Sequence, residues 1–191
     1  MKIICIKTSF IKLIYGYINY YEVKMDIIYK RRSIRKYTPE PIPKETVLSF
    51  IKAGMNAPSA GNQQPWHFVI INDRKILEEI TKVHPYSKML HEAPAAILVC
   101  GDVNLEKHEG YWVMDCSAAT ENILLEIVEQ GYGGVWLGVY PVKERVEGIR
   151  KILRMPKHII PFSLIAFGHP GEEKEPKNEF HEERIRYNYW E

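Results

Sequence analysis

Apolar residues recur along this chain with two different spacings, and the alternation between them predicts the elements. After Pro43-Lys44-Glu45, which opens a helix, Val47, Leu48, Ile51 and Met55 fall on one helical face, with Gly54 near its end. Trp66 to Asn72 is β-branched and aromatic, the texture of a strand, and Lys75 to Val83 reads as a short helix. Ala95 to Gly101 has almost no polar alternation, so it is predicted to be a strand buried on both faces. Residues 111 to 130 form the longest helix candidate. Cys116, Ala119, Ile123 and Ile127 lie at helical spacing, and Gly131 is placed to stop it. Val113, Met114, Leu124, Leu125 and Val128 lie off that stripe, which predicts a helix buried nearly all round, in a core or a subunit interface. Gly133 and Gly134 read as a turn. Strands at Val135 to Tyr140 and Ser163 to Phe167 complete an α+β plan, followed by a charged tail in which Phe180, Ile185, Tyr187 and Trp190 are spaced as if to dock onto something.

Residues 1–25 differ in texture, being rich in Ile, Lys, Tyr and Asn. Lys7 and Lys12 interrupt the apolar residues, so no run reaches the roughly 18 needed to span a bilayer, and no small-residue cleavage site follows. Two readings stand: a short extension packed on the body or on a partner, or translated upstream sequence with the working start at Met25. The fresh segment opened by Met25 and Asp26, with Asp26 placed to cap a short helix through Arg31, favours the second. The organisation expected is an extension over residues 1–25 and one domain over 26–191.

Composition adds exclusions. A chain of 191 residues with 46% hydrophobic and 26% charged residues suits one sizeable core, and 26 basic against 24 acidic residues leave a net charge of +2, too small to point to nucleic acid. Cys5, Cys100 and Cys116 are too few and too scattered for a disulfide framework or a Cys-x-x-Cys site, which fits a reducing cytoplasm; the last two read as small buried hydrophobes. The seven histidines show no metal-ligand spacing.

Three segments carry candidate chemistry. If Arg31-Arg32-Ser33-Ile34-Arg35 is extended, Arg31, Ser33 and Arg35 project to one side, two guanidiniums flanking a hydroxyl, a cradle for a phosphate. A solvated basic run explains the same residues as well, and Lys30 and Lys36 extend it. The loop Ala57-Pro58-Ser59-Ala60-Gly61-Asn62-Gln63-Gln64-Pro65 spends its length on turn formers and neutral amides, which can read the carbonyl and N–H edge of a heterocycle. An ordinary turn before a strand is the alternative. In Gly131-Tyr132-Gly133-Gly134-Val135-Trp136-Leu137-Gly138 the glycines follow a helix and lead into a strand, the reverse of the dinucleotide-binding order. Gly138, inside a strand, marks close approach of a ligand or of another backbone, which places a flat partner against Leu137-Gly138. No serine or histidine sits in an activating motif, so the chemistry is expected to belong to a bound cofactor.

In order, the runs RRSIRKYTPEPIPKE, APSAGNQQPWHFVII, APAAILVCGD, DCSAATENILLEIVEQGYGGVWLG and PFSLIAFGHP resemble the segments of the nitroreductase family of FMN-dependent oxidoreductases. The resemblance runs from about Asp26 to the C-terminus. It implies an α+β fold with a central mixed, mainly antiparallel sheet flanked by helices, in an intertwined homodimer with two FMN sites at the interface. It further implies that Arg31 and Ser33, with Arg32 beside them, hold the FMN phosphate and that Arg35 lies near the flavin N1/O2 edge. Pro58 and Ser59 would line the pocket, Asn62 would bond the pyrimidine edge, and the backbone of Leu137 and Gly138 would approach flavin N5. No catalytic side chain is implied beyond electrostatic support from Arg35. The family tail often carries an Arg before an aromatic residue; here Glu179 stands before Phe180, leaving Lys177 or Lys174 as substitutes.

The expected activity is hydride transfer from NADH or NADPH to FMN, then reduction of a small-molecule acceptor such as a nitroaromatic or quinone on the same open face, a ping-pong scheme with no membrane or nucleic-acid partner. A non-catalytic flavin-binding or redox-sensing protein is the competing reading. Tyr86, Ser87 and Lys88, within residues 81–94, are expected to cover the substrate face, or else merely to connect a helix to the buried strand.

Overall fold

The computed structural model describes residues 27–190, so the extension over 1–25, Cys5 and the Asp26 cap lie outside the described residues. The chain divides into two units, Arg31–Lys174 and one made of Met1–Lys30 with Glu175–Glu191. In the second, a helical turn over 27–30 meets the tail where the Lys177 N–H donates to the Tyr29 carbonyl at 3.1 Å. Phe180, Ile185, Tyr187 and Trp190, expected to dock, stand exposed there.

The Arg31–Lys174 unit is built around four strands, β1 (Trp66–Ile71), β2 (Ala95–Asp102), β3 (Gly133–Gly138) and β4 (Ile159–Gly168). Their order is β1-β2-β4-β3 and all three pairings are antiparallel. The parallel contribution to a mixed sheet comes from outside the strands, as a single bridge between Ser33 and Gly134. All eight residues of β2 are buried, as its apolar run predicts, because helices cover both faces. Side chains alternate accordingly. Ile97 and Val99, with Ile165 and Phe167 of β4, join one core cluster; Ala96, Leu98 and Cys100, with Leu164 and Ala166, join the other.

The first cluster is closed by α1 (Lys44–Met55) and α3 (Trp112–Glu129), the second by α2 (Arg74–Val83) and α4 (Lys143–Ile152). Asp73 caps α2, its Oδ1 accepting the Lys75 N–H at 2.8 Å. The buried stripe of α1 is Val47, Phe50, Ile51 and Gly54; Leu48 and Met55, expected on it, are exposed. The register turns because Gly54 is a contact rather than a helix stop. A Cβ there would come within 2.9 Å of the Ile123 side chain, so the missing side chain lets α1 and α3 close together.

Cys116, Ala119, Ile123 and Ile127 of α3 are fully buried, and Gly131 ends the helix region at φ 79°. Burial all round is not observed: Met114 is 56% exposed, and Val113, Leu125 and Val128 are half-buried. Leu124 and Ile127 belong to this chain's own core, so an interface served by α3 would use the other side. Gly133 and Gly134 begin β3 rather than forming a turn. Among the described residues no helix is long and apolar enough to cross a membrane.

Candidate functional site

The segment from Arg31 to Tyr37 is extended and docks on the free edge of β3. The Ile34 N–H donates to the Gly134 carbonyl at 3.1 Å, and the Ile34 side chain is buried over Gly133, where a Cβ would fall 2.7 Å from Ile34 Cγ2. Tyr37 fixes the segment's end: its hydroxyl lies 2.6 Å from the Ile34 carbonyl and 3.0 Å from that of Ala166, and burial raises its pKa far above the ordinary phenol value. With Ile34 turned inward, alternation sends Ser33 and Arg35 the other way.

Around that outward side the structure gathers further polar groups. Lys174 Nζ donates to the Ser33 carbonyl at 2.6 Å and lies 3.2 Å from Glu172, whose Oε1 accepts the Arg35 N–H at 2.6 Å. That backbone bond, aided by Lys174, holds the Glu172 carboxyl below the usual carboxylate range. Of the two tail lysines weighed as phosphate ligands, Lys174 reaches this segment, whereas Lys177 pairs with Glu179 at 2.7 Å. Arg31 Nε lies 3.2 Å from Glu121 Oε1 on α3, and Arg32 Nε is buried without a hydrogen-bond partner.

Arg35 leads into a cavity of about 630 Å³, walled by Trp136, Leu137 and Gly138 on one side and by His84, Tyr86 and Lys88 on another. Of the candidate residues, Arg35, Leu137 and Gly138 are brought together here. A Cβ on Gly138 would meet nothing within 4 Å, so the strand faces open space at that point. Its carbonyl accepts two donors, His84 Nε2 at 2.9 Å and Arg145 Nη1 at 2.8 Å. In antiparallel pairing a residue's N–H and C=O point to the same side; the Gly138 carbonyl is turned from β4, so its N–H is an edge donor too.

His84 is 1% exposed, and burial lowers its pKa. A carbonyl only accepts, so Nε2 carries the proton and Nδ1 is left buried with no partner. The expected covering segment is present in part: Tyr86 and Lys88 line the cavity, but Ser87 is buried and its hydroxyl donates to the His84 carbonyl at 2.7 Å.

Pro58, Ser59 and Asn62 do not line this cavity. Their loop is stiffly built. Asp115 Oδ1 accepts the Ala60 N–H at 2.9 Å and Oδ2 accepts from Gln63 Nε2 at 2.6 Å, while Gln63 Oε1 receives the N–H groups of Lys107 and His108 at 2.7 and 3.1 Å. Gln63, expected to read a ligand edge, is spent inside the protein at 6% exposure. Gly61, Asn62 and Gln64 hold positive φ of 51°, 53° and 46°, costly for the two non-glycine residues. The side effect is that Asn62 faces outward, exposed. Asp115, His84 and Arg145 were missed by sequence reasoning; their only local signal is that Asp115 is a carboxylate beside the apolar stripe of a helix. Among the described residues no group of three His, Cys, Asp or Glu could hold a metal ion.

The chain as a whole has counterparts. The profile described as the Nitroreductase family matches residues 28–85 and 77–169. A protein of Methanothermobacter thermautotrophicus, provisionally named an NADH dehydrogenase/NAD(P)H nitroreductase, is 47% identical over 170 residues, covering 87% of this chain and 89% of its own length. A Parabacteroides distasonis structure of the same provisional name superposes with a TM-score of 0.84 at 42% identity, covering 87% of this chain and 98% of that one. A Desulfovibrio desulfuricans structure, provisionally a nitroreductase and solved in complex with FMN, gives a TM-score of 0.75 at 27% identity, covering 86% and 96%.

Proposed function

This chain belongs to the nitroreductase family, and we propose that it is an FMN-dependent oxidoreductase that takes hydride from NADH or NADPH and reduces a small-molecule acceptor such as a nitroaromatic or quinone by a ping-pong mechanism. The observation that carries this reading is Gly138, an edge-strand glycine that opens onto a cavity with its N–H on the cavity side and the Arg35 guanidinium in the same wall. The residues present fit FMN. Lys174 reaching the Ser33 backbone supports assigning Arg31, Ser33 and Lys174 to its phosphate, and the buried Arg32 Nε next to them is left without a partner. FMN, when bound, supplies the redox chemistry, accepting hydride at N5 and gathering negative charge at its N1/O2 edge.

The protein's own part is to bind, orient and stabilise. A guanidinium at Arg35, already fixed by its segment, favours that charge without reorganising. Two donors on the Gly138 carbonyl hold the end of the edge strand in place, beside the N–H that Gly138 turns away from β4. Because Pro58, Ser59 and Asn62 lie outside the cavity, a second copy contributing its own loop would complete the site, and the exposed Met114 with half-buried Val113, Leu125 and Val128 offers α3 an apolar face for that copy.

The test begins with the purified protein. It is expected to be yellow, to sediment as a dimer, and to bleach on addition of NADH or NADPH and recolour with an acceptor. A flavin that stays oxidised would instead favour the binding or sensing reading, and a colourless monomer would sink both.

Replacing Arg35 by Met separates charge stabilisation from binding. The expected outcome is a lower flavin midpoint potential and slower reduction, with a smaller loss of oxidised FMN binding. A potential equal to wild type in redox titration would remove Arg35 from this role.

A further inference from the structure

Several basic residues of this chain are paired with acidic neighbours. Arg31 pairs with Glu121 at 3.2 Å, Arg74 with Glu78 at 3.9 Å, Lys174 with Glu172 at 3.2 Å, and Arg150 with Glu147. Around the cavity the pattern reverses. Arg35, Lys88 and Arg145 all line it, no Asp or Glu does, and none of the three forms an ion pair with a described residue. His84 cannot offset them, since an imidazole carries no negative charge. A cavity lined by three basic side chains and no acidic one, with Arg35 and Lys88 exposed and Arg145 half-buried, presents a positive field that draws an anion.

Arg35 already has a task at the flavin edge, whereas Arg145 spends only one donor on the scheme above, at the Gly138 carbonyl that His84 also holds. Arg145 stands in the first turns of α4, with Nη1 on the Gly138 carbonyl and its guanidinium carbon 5.4 Å from the centre of the Tyr86 ring. One of five donors is thereby used, and the fork is held between the edge strand and an aromatic ring that is 69% exposed.

Resting on the FMN reading above, we propose that the electron acceptor is a small aromatic anion whose carboxylate or comparable charged group is bound by Arg145, with its ring against Tyr86. An acceptor suits the position better than the dinucleotide. Arg145 touches Gly138, so its anion sits within about one ring's length of the atom served by the Gly138 N–H, whereas a ribose separates the nicotinamide ring from the nearest phosphate. Bidentate recognition by a fixed guanidinium also distinguishes a carboxylate from its neutral ester.

The experiment compares 4-nitrobenzoate with methyl 4-nitrobenzoate as acceptors for the FMN-loaded protein, in wild type, Arg145→Gln and Arg145→Lys. Wild type is expected to prefer the anion by about tenfold or more in kcat/KM. Arg145→Gln should erase most of that preference through KM, and Arg145→Lys should restore part of it. His84 still satisfies the Gly138 carbonyl in both variants, and thermal denaturation checks that they fold. An equilibrium readout runs alongside: benzoate titrated against the oxidised holoprotein, followed by tryptophan fluorescence with Trp136 in the cavity wall, should bind about tenfold more weakly to Arg145→Gln. Wild type that bleaches with NADPH yet shows no anion preference overturns this proposal alone. So does a preference unchanged in Arg145→Gln, or a loss confined to flavin reduction by NADPH, which would assign the residue to the dinucleotide. Wild type that does not bleach overturns the oxidoreductase reading and this proposal with it.

Discussion

Asp115→Ala should cost this protein about 3 kcal/mol or more of stability, a fall in Tm of roughly 6–12 °C at fixed protein and FMN concentration, and should release its flavin as well. The carboxylate is buried and accepts from the Ala60 N–H and from Gln63 Nε2. Each bond is charge-assisted, worth about 1.5–3 kcal/mol, and removing the acceptor strands two donors away from water. The loss does not end in the core, because the same bonds hold Gly61, Asn62 and Gln64 at positive φ. Freed of Asp115, the loop relaxes and Asn62 is no longer presented. Asp115→Asn should fall between the two, since it keeps one acceptor oxygen while its amide opposes that of Gln63, whose own oxygen is already committed to the N–H groups of Lys107 and His108. Thermal denaturation and flavin content, measured on the same preparations, decide the matter. An Asp115→Ala protein that melts like wild type and stays yellow would show that the loop holds itself.

Arg31→Ala and Glu121→Gln should move FMN affinity in opposite directions. Loss of the guanidinium removes charge-assisted bonds to the phosphate, an expected tenfold to hundredfold weakening, in the range of about 1.5–3 kcal/mol. Glu121 now holds Arg31 at 3.2 Å, and its negative charge opposes a phosphate arriving at the same group. Neutralising it should therefore tighten FMN, by less than the Arg31 loss because both side chains are partly solvated and screened. Equilibrium dialysis of the apoprotein with FMN reads both changes. Equal weakening in the two variants would mean that Glu121 positions Arg31 rather than competing for it.

Where the chain could be read in advance depended on how far apart the deciding residues lie. The all-buried β2 was legible because a run without polar alternation has one explanation, helices on both faces. Gly138 could be singled out because glycine is unusual inside a strand, and the structure places it beside the cavity with open space where its Cβ would be. Met55 was misplaced on α1 since the stripe there is set by Gly54 meeting Ile123, a contact between two helices that no single helix's periodicity contains. Gln63 was misread for a similar reason: its partner, Asp115, is 52 residues away. An amide in a loop looks the same whether it serves a ligand or the core. His84 and Arg145 escaped notice because they approach Gly138 from separate elements and converge only in the folded chain.

The outer edge of β3 has one more consequence. A sheet edge offers its backbone groups to any strand that comes by, and natural proteins blunt such edges to avoid joining edge to edge. Here Ile34 occupies the Gly134 carbonyl, and His84 and Arg145 occupy that of Gly138. Between those stoppers the strand opens onto the cavity, with Trp136 and Gly138 in its wall. Whatever fills the cavity therefore also shields an aggregation-prone template. On the proposed reading, extracting FMN would unmask it, so the yield of soluble apoprotein would depend on the same few backbone atoms assigned to orienting the flavin.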